Sequence, residues 1–111
     1  MSPLADEHPR EYPRGAPSLP LEKIEELAGE TPAWTVEDLN LERRLSFADF
    51  NEAFGFVVQI ALLAEAESHH PDICIAWNQV ELTFSTHTAE GLTRNDFIMA
   101  AKVDRILAAD R

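Results

Sequence analysis

Apolar residues recur along this chain with two periods, and the switches between them divide it into seven elements. Leu21, Ile24, Leu27 and Ala28 repeat at helical spacing. A first helix is therefore predicted from about Pro20 to Ala28, with a proline in its first turn and Gly29 as its stop. Trp34-Thr35-Val36 and Leu41 to Phe47 read as two strands of a hairpin turning around Asp38-Leu39-Asn40, where Asp and Asn are the turn formers. Leu41, Arg43 and Leu45 would share one face of the second strand, and an arginine fits a buried face poorly, so the register stays open by one residue.

The longest periodic stretch follows. Phe47, Phe50, Phe54, Val57, Val58, Ala61, Leu62 and Ala64 form a wide helical stripe ending near Ser68, and Ser46 with Asp49 resembles a capping box at its start. Such a stripe is read first as core and second as an interface between copies. Gly55 inside it costs about 1 kcal/mol relative to Ala, which points to close packing at that position. Ile73 to Trp77 is apolar throughout, and Asn78-Gln79 reads as a turn. Val80, Leu82 and Phe84 then alternate with Glu81, Thr83 and Ser85, the pattern of a strand with one wet face. Gly91 closes a loop, and Thr93 to Asp96 is a second capping box. It opens a last helix to about Ala109, in which Phe97, Ala100, Ala101, Val103 and Leu107 keep helical spacing. Strands joined by short turns pair antiparallel, and helices in this number cover one face of a sheet, so the order α-β-β-α-β-β-α predicts an α+β sandwich.

Composition trims this picture at one end. Five of the seven prolines lie in the first twenty residues, so residues 1–18 are expected to be a poorly ordered extension, with residues 19–111 as the single domain. A formal charge of −11 would repel a phosphate backbone, which argues against direct nucleic-acid binding. No apolar run approaches the ~18 residues of a membrane span, and no basic, apolar leader is present, so a cytoplasmic protein is expected. Cys74, the single cysteine, lies in an apolar run and is expected to be a buried thiol.

Candidate chemistry concentrates between Ser68 and His87, which hold three of the four histidines; His8 is left in the proline-rich tail. Pro71 disfavours helix for the residue before it, which puts His69 and His70 at a helix-to-strand junction. His87 falls at the exit of the second hairpin, on the same side. Three readings stay open on spacing alone. The imidazoles are structural or surface groups, or general acid/base catalysts with a pKa near neutrality, or zinc ligands. Zinc is the weakest, since neither His-x-x-x-His nor His-x-His occurs. Asp96 reads as a helix cap or a catalytic acid, and Trp77 as core or as a residue that stacks on a ligand.

A resemblance reorders these readings. Glu65-Ala66-Glu67-Ser68-His69-His70-Pro71, Trp77-Asn78-Gln79-Val80, Leu82-Thr83, Ser85-Thr86-His87 and Gly91-Leu92-Thr93 with Asp96 are similar to the pterin-4a-carbinolamine dehydratase family, as is Phe47 to Phe56 upstream. The likeness spans about residues 20 to 108. It implies a four-stranded antiparallel sheet with three helices packed on one face, assembled as a homodimer or tetramer. It implies a dehydratase without metal or cofactor, which converts 4a-hydroxytetrahydropterin to quinonoid dihydropterin and water during tetrahydrobiopterin recycling. An aromatic amino acid hydroxylase would be the pathway partner that supplies the substrate. The resemblance casts His69 and His87 as the acid/base pair and His70 as the group that binds and orients the pterin. Ser68, Pro71, Ser85, Thr86 and Thr88 would line the pterin site, with Asp96, Glu65 and Trp77 in support. Ser68 stands where the family usually has Asp or Asn, and Trp77 where Tyr is common; neither change removes a catalytic group. The alternative is a protein-interaction, coactivator or assembly module on the same fold.

Overall fold

The computed structural model describes residues 3–109. The chain forms α1 (Leu21–Glu30), β1 (Thr35–Glu37), β2 (Asn40–Ser46), α2 (Phe50–Glu67), β3 (Asp72–Ala76), β4 (Gln79–Phe84) and α3 (Arg94–Ala109), with 3-10 turns at Leu4–Asp6 and His87–Ala89. The strands make one antiparallel sheet in the order β1-β2-β4-β3, as expected for this α+β pattern. Its physical basis is the alternation in β4. Val80, Leu82 and Phe84 are buried beneath the helices, and the register sets them opposite Leu45, Arg43 and Leu41 of β2. Leu82 and Phe84 are fully buried, so their burial carries much of the contact between sheet and helices.

The pairing settles the register left open by Arg43. Leu41, Arg43 and Leu45 do share the covered face, and Arg43 reaches Asp104 on α3, which also accepts the indole N–H of Trp34 at 2.9 Å. A paired guanidinium with its stem along apolar neighbours is tolerated where a lone one would not be. The first hairpin turns through Asp38-Leu39 alone, with Asp38 in the left-handed region (φ 52°) and Asn40 already in β2.

Several local boundaries differ from expectation. Gly29 lies inside α1, which ends at Glu30 and is capped by Thr31, whose hydroxyl donates to the Leu27 carbonyl at 3.2 Å. Ser46 ends β2 instead of capping a helix. The cap of α2 is Asp49, whose carboxylate accepts the Glu52 amide at 2.8 Å. A Cβ on Gly55 would meet nothing within 4 Å, so no close approach requires glycine there.

The α2 stripe divides into two. Ala53, Phe56, Ile60 and Ala64 face the core, and of these only Ala64 belongs to the predicted stripe; Phe50, Phe54, Val58 and Leu62 of that stripe, spaced by four, form an exposed apolar line instead. Cys74 is exposed, because β3 is an edge strand and Cys74 faces away from the helices, opposite Glu81. Trp77 belongs to neither core nor strand. It occupies the β3–β4 turn with φ 53° and is 69% exposed.

Residues 3–18, expected from composition to stand outside the fold, lie along it. Leu4 is only 4% exposed and joins the core, and Lys102 donates to the Ala5 carbonyl at 2.9 Å. Arg94 donates to both Glu7 carboxylate oxygens, at 2.7 and 2.6 Å, and these bonds hold the Glu7 carboxyl below its ordinary value. Stability from that shift is present above the unfolded-state pKa of Glu7 and is lost as pH falls through the lowered folded one. Leu4→Ala tests the packing directly. It should cost about 2–4 kcal/mol in urea denaturation, against almost nothing for a segment off the core.

Candidate active site

The site sits where the C-terminus of α2, the exit of β4 and the start of α3 meet. Ser68 ends α2 in the left-handed conformation (φ 55°), and the His69 amide closes the cap on the Ala64 carbonyl at 3.3 Å. This sharp stop, followed by Pro71, turns His69 inward and leaves His70 outward. At the exit of β4, Thr86 pairs with Gly91 as an isolated bridge, so the chain between them bulges as the His87–Ala89 turn.

Asp96 anchors the floor. Its side chain is 0% exposed, and three donors satisfy it: His69 Nε2–H to Oδ1 at 2.7 Å, the Thr86 hydroxyl to Oδ2 at 2.9 Å, and the Thr93 amide to Oδ2 at 2.9 Å. The Thr93 amide contact is the capping box read from the sequence, so one carboxylate both caps α3 and holds a histidine. The network extends to Thr93 and Asn95. Thr86 spends its hydroxyl proton on Asp96, so at their 2.8 Å contact Thr93 donates to Thr86, and the Thr93 oxygen in turn accepts the Asn95 amide at 3.3 Å. The His69 ring stacks on Phe84, with centroids 6.0 Å apart and planes within 10°. A carboxylate can only accept, so the His69 proton is on Nε2, and Nδ1 is left as the lone-pair nitrogen unless the ring is doubly protonated.

The other two histidines are wetter. His70 Nε2–H donates to Glu65, both side chains being largely exposed. The His87 imidazole is exposed and has no hydrogen-bond partner among the described residues. Among the described residues no three His, Cys, Asp or Glu side chains gather as a metal ion requires. His69 and His70 each engage a different carboxylate instead.

These groups line a cleft of about 410 Å³, within the range of small-molecule sites. Ser68, His69, His70, Pro71, Ser85, Thr86, His87 and Thr88 all line it. Asp96 lies beneath it and Glu65 reaches it only through His70. Trp77 is not brought to it: β3 runs away from the histidines, and Trp77 turns at its far end. Sequence reasoning missed Pro9, Arg10, Glu11 and Tyr12, which form one wall, and Glu67, Asp72 and Asn95 beside them. For residues 9–12 no periodic signal exists. The apolar Leu4-Ala5 pair in a polar, proline-rich stretch is the one hint that the segment packs.

Fold and site together define an α+β protein with a histidine-lined cleft of small-molecule size. The chain belongs to the pterin 4 alpha carbinolamine dehydratase family, whose model matches residues 17–106. It is 44% identical over 107 residues to a protein of Rubrobacter xylanophilus, covering 96% of this chain and all of that one. It is 45% identical over 96 residues to one of Methylococcus capsulatus, covering 85% and 84%. Both relatives are named, provisionally, as pterin-4-alpha-carbinolamine dehydratases. The crystal structure of a transcriptional coactivator/pterin dehydratase from Brucella melitensis superposes with a TM-score of 0.76 at 36% identity, over 80% of this chain and 97% of that one. No helix among the described residues is long and apolar enough to cross a membrane.

Proposed function

We propose that this chain is a cytoplasmic dehydratase that removes the 4a-hydroxyl of a 4a-hydroxytetrahydropterin as water, by histidine acid/base catalysis. The C4a–O bond breaks as an acid protonates the hydroxyl. The N5 proton passes to a base, and the N5 electron pair closes the C4a–N5 double bond of the quinonoid product. The observation that carries this reading is the His69–Asp96 pair at the cleft floor. Asp96 holds the ring and balances the charge that forms when Nδ1 accepts a proton, which suits His69 to the N5 proton. His87, exposed and unpaired, suits the acid that meets the hydroxyl, and His70 with Glu65 orients the pterin. No step requires a metal. Hydroxylation of aromatic amino acids is the reaction that supplies such a carbinolamine.

The test follows absorbance as chemically generated 4a-hydroxytetrahydropterin is consumed, with and without catalytic amounts of chelator-treated protein. Strong acceleration is expected. Folded protein without acceleration would overturn the assignment and turn attention to an interaction role, transcriptional coactivator being the other function in the Brucella neighbour's name.

A homo-oligomer completes the proposal. Phe50, Phe54, Val58 and Leu62 make an exposed apolar line on α2, and Ile73 of the adjacent edge strand is also exposed. Contiguous apolar surface of this kind marks an interface, and the self-complementary use of one helix face suits a second copy. Light scattering should give a dimer or tetramer, and Val58→Glu with Leu62→Glu should reduce its mass. A monomeric parent protein would overturn this part.

A further inference from the structure

The segment before α1 runs along the cleft wall as a strap tied down at both ends. Asn95, the neighbour of Asp96 and itself buried, clasps the Arg10 backbone: the Arg10 amide donates to Asn95 Oδ1 at 3.0 Å, and Asn95 Nδ2 donates to the Arg10 carbonyl at 2.7 Å. Five residues on, the Gly15 amide donates to the carbonyl of Thr88, next to His87, at 2.8 Å. Upstream, the Glu7–Arg94 pair and the His8–Glu67 contact at 2.9 Å fix the approach. Arg10 and Tyr12 thus stand against the cleft although neither is near it in sequence.

The charge pattern gives the strap a role. Among the described residues Arg10 is the only arginine or lysine lining the cleft. Arg43, Arg44, Arg94 and Arg105 are each paired with a carboxylate, whereas Arg10 makes no ion pair among the described residues, in a chain with 20 acidic side chains. Its guanidinium carbon lies 5.6 Å from the centre of the Tyr12 ring, a cation–π contact that holds it without using up its N–H donors.

We propose that Arg10, positioned by Tyr12, is a specificity residue of this site and binds acceptor oxygens on the C6 substituent of the pterin. The proposal rests on the dehydratase reading for its substrate class. The reacting edge of the ring meets the histidines, and the substituent runs out along the strap to the guanidinium. The acceptor is either a neutral hydroxyl or an anionic group such as phosphate, and the substrate series separates these sources.

The experiment uses the full chain, the Arg10→Ala, Arg10→Lys and Tyr12→Leu variants, and three carbinolamines. Their C6 substituents are methyl, dihydroxypropyl and a phosphorylated side chain. Arg10→Ala leaves the strap backbone and its Asn95 clasp in place. It should raise KM about tenfold for at least one oxygenated substrate, change KM for the methyl substrate by no more than about twofold, and act on KM more than on kcat. Arg10→Lys should recover part of the loss, and Tyr12→Leu should raise the same KM by a few-fold. Loss on the dihydroxypropyl substrate, alone or together with the phosphorylated one, marks hydroxyl recognition, and loss confined to the phosphorylated one marks anion recognition. Equal KM changes on all three substrates, or none, would overturn the proposal. If the parent protein accelerates no dehydration, the dehydratase reading fails on its own. Calorimetric binding of stable dihydropterins with the same substituents then decides: a selective tenfold loss of affinity upholds Arg10, and its absence removes it.

Discussion

Protein carrying both His69→Ala and His87→Ala should leave the carbinolamine to lose water at its uncatalysed rate while remaining folded. Each imidazole is assigned one proton transfer, and a positioned acid or base contributes roughly 10²–10⁴ in rate. Single variants should therefore fall by about that factor. The double variant should fall little further than the worse single one, because groups acting as a unit are not additive. Stability separates the two positions. His87 is exposed and unpaired among the described residues, so its loss should stay within about 0.5 kcal/mol. His69 packs on Phe84 and donates to buried Asp96, so its loss should cost about 1–3 kcal/mol. Circular dichroism and urea denaturation, run beside the rate assay, distinguish lost chemistry from lost fold. A folded double variant that keeps a tenth of parent activity would remove both histidines from the reaction. His70→Ala is the internal contrast, and it should act more on KM than on kcat.

What the sequence disclosed and what it withheld follow a physical line. Period-two alternation in Val80 to Phe84 and helical spacing in α3 report burial on one face, and both elements form where they were predicted. The capping box at Thr93 and Asp96 is a local motif and was equally legible. So was the helix stop before Pro71, which gathers two histidines. Periodicity does not say what an apolar stripe meets. It therefore could not divide α2 into a core face and an exposed line, nor place Cys74 on an edge strand. Trp77 looked like the last residue of a strand, but the two-residue turn needs φ above zero at that position, and the indole went with the turn. The strap was the least visible feature. Its anchors join Arg10 to Asn95 and Leu4 to the core, contacts between residues far apart in sequence with no local signature. Composition reports only that such a segment has few apolar groups. It does not report the buried Leu4 and Ala5, the ion pairs and the backbone hydrogen bonds that lay the segment along the domain.

Substituting Asp96 should produce the largest loss of stability in the site, and the choice of replacement separates its two jobs. Asp96→Ala strands three donors in a fully buried position: the His69 Nε2–H, the Thr86 hydroxyl and the Thr93 amide. An unsatisfied buried donor costs about 1–3 kcal/mol. A carboxylate near a helix N-terminus contributes roughly 0.3–1 kcal/mol more. The Thr86 hydroxyl can rotate to a new acceptor and the His69 ring can shift toward the cleft, so the total should settle at about 3–5 kcal/mol rather than the full sum. Asp96→Asn keeps the volume and one oxygen but presents an NH₂ on the other side. If the oxygen stays with the Thr93 amide, the NH₂ faces His69 and the imidazole must offer a lone pair at Nε2. The proton then moves to Nδ1, the nitrogen assigned to accept the N5 proton. The Asn variant should thus lose less stability than the Ala variant, yet its kcat should drop by roughly 10²–10⁴. Urea denaturation and steady-state rates on the same two proteins make the comparison. An Asn variant with parent kcat would mean that Asp96 caps α3 and holds the ring in place without setting which nitrogen does the chemistry.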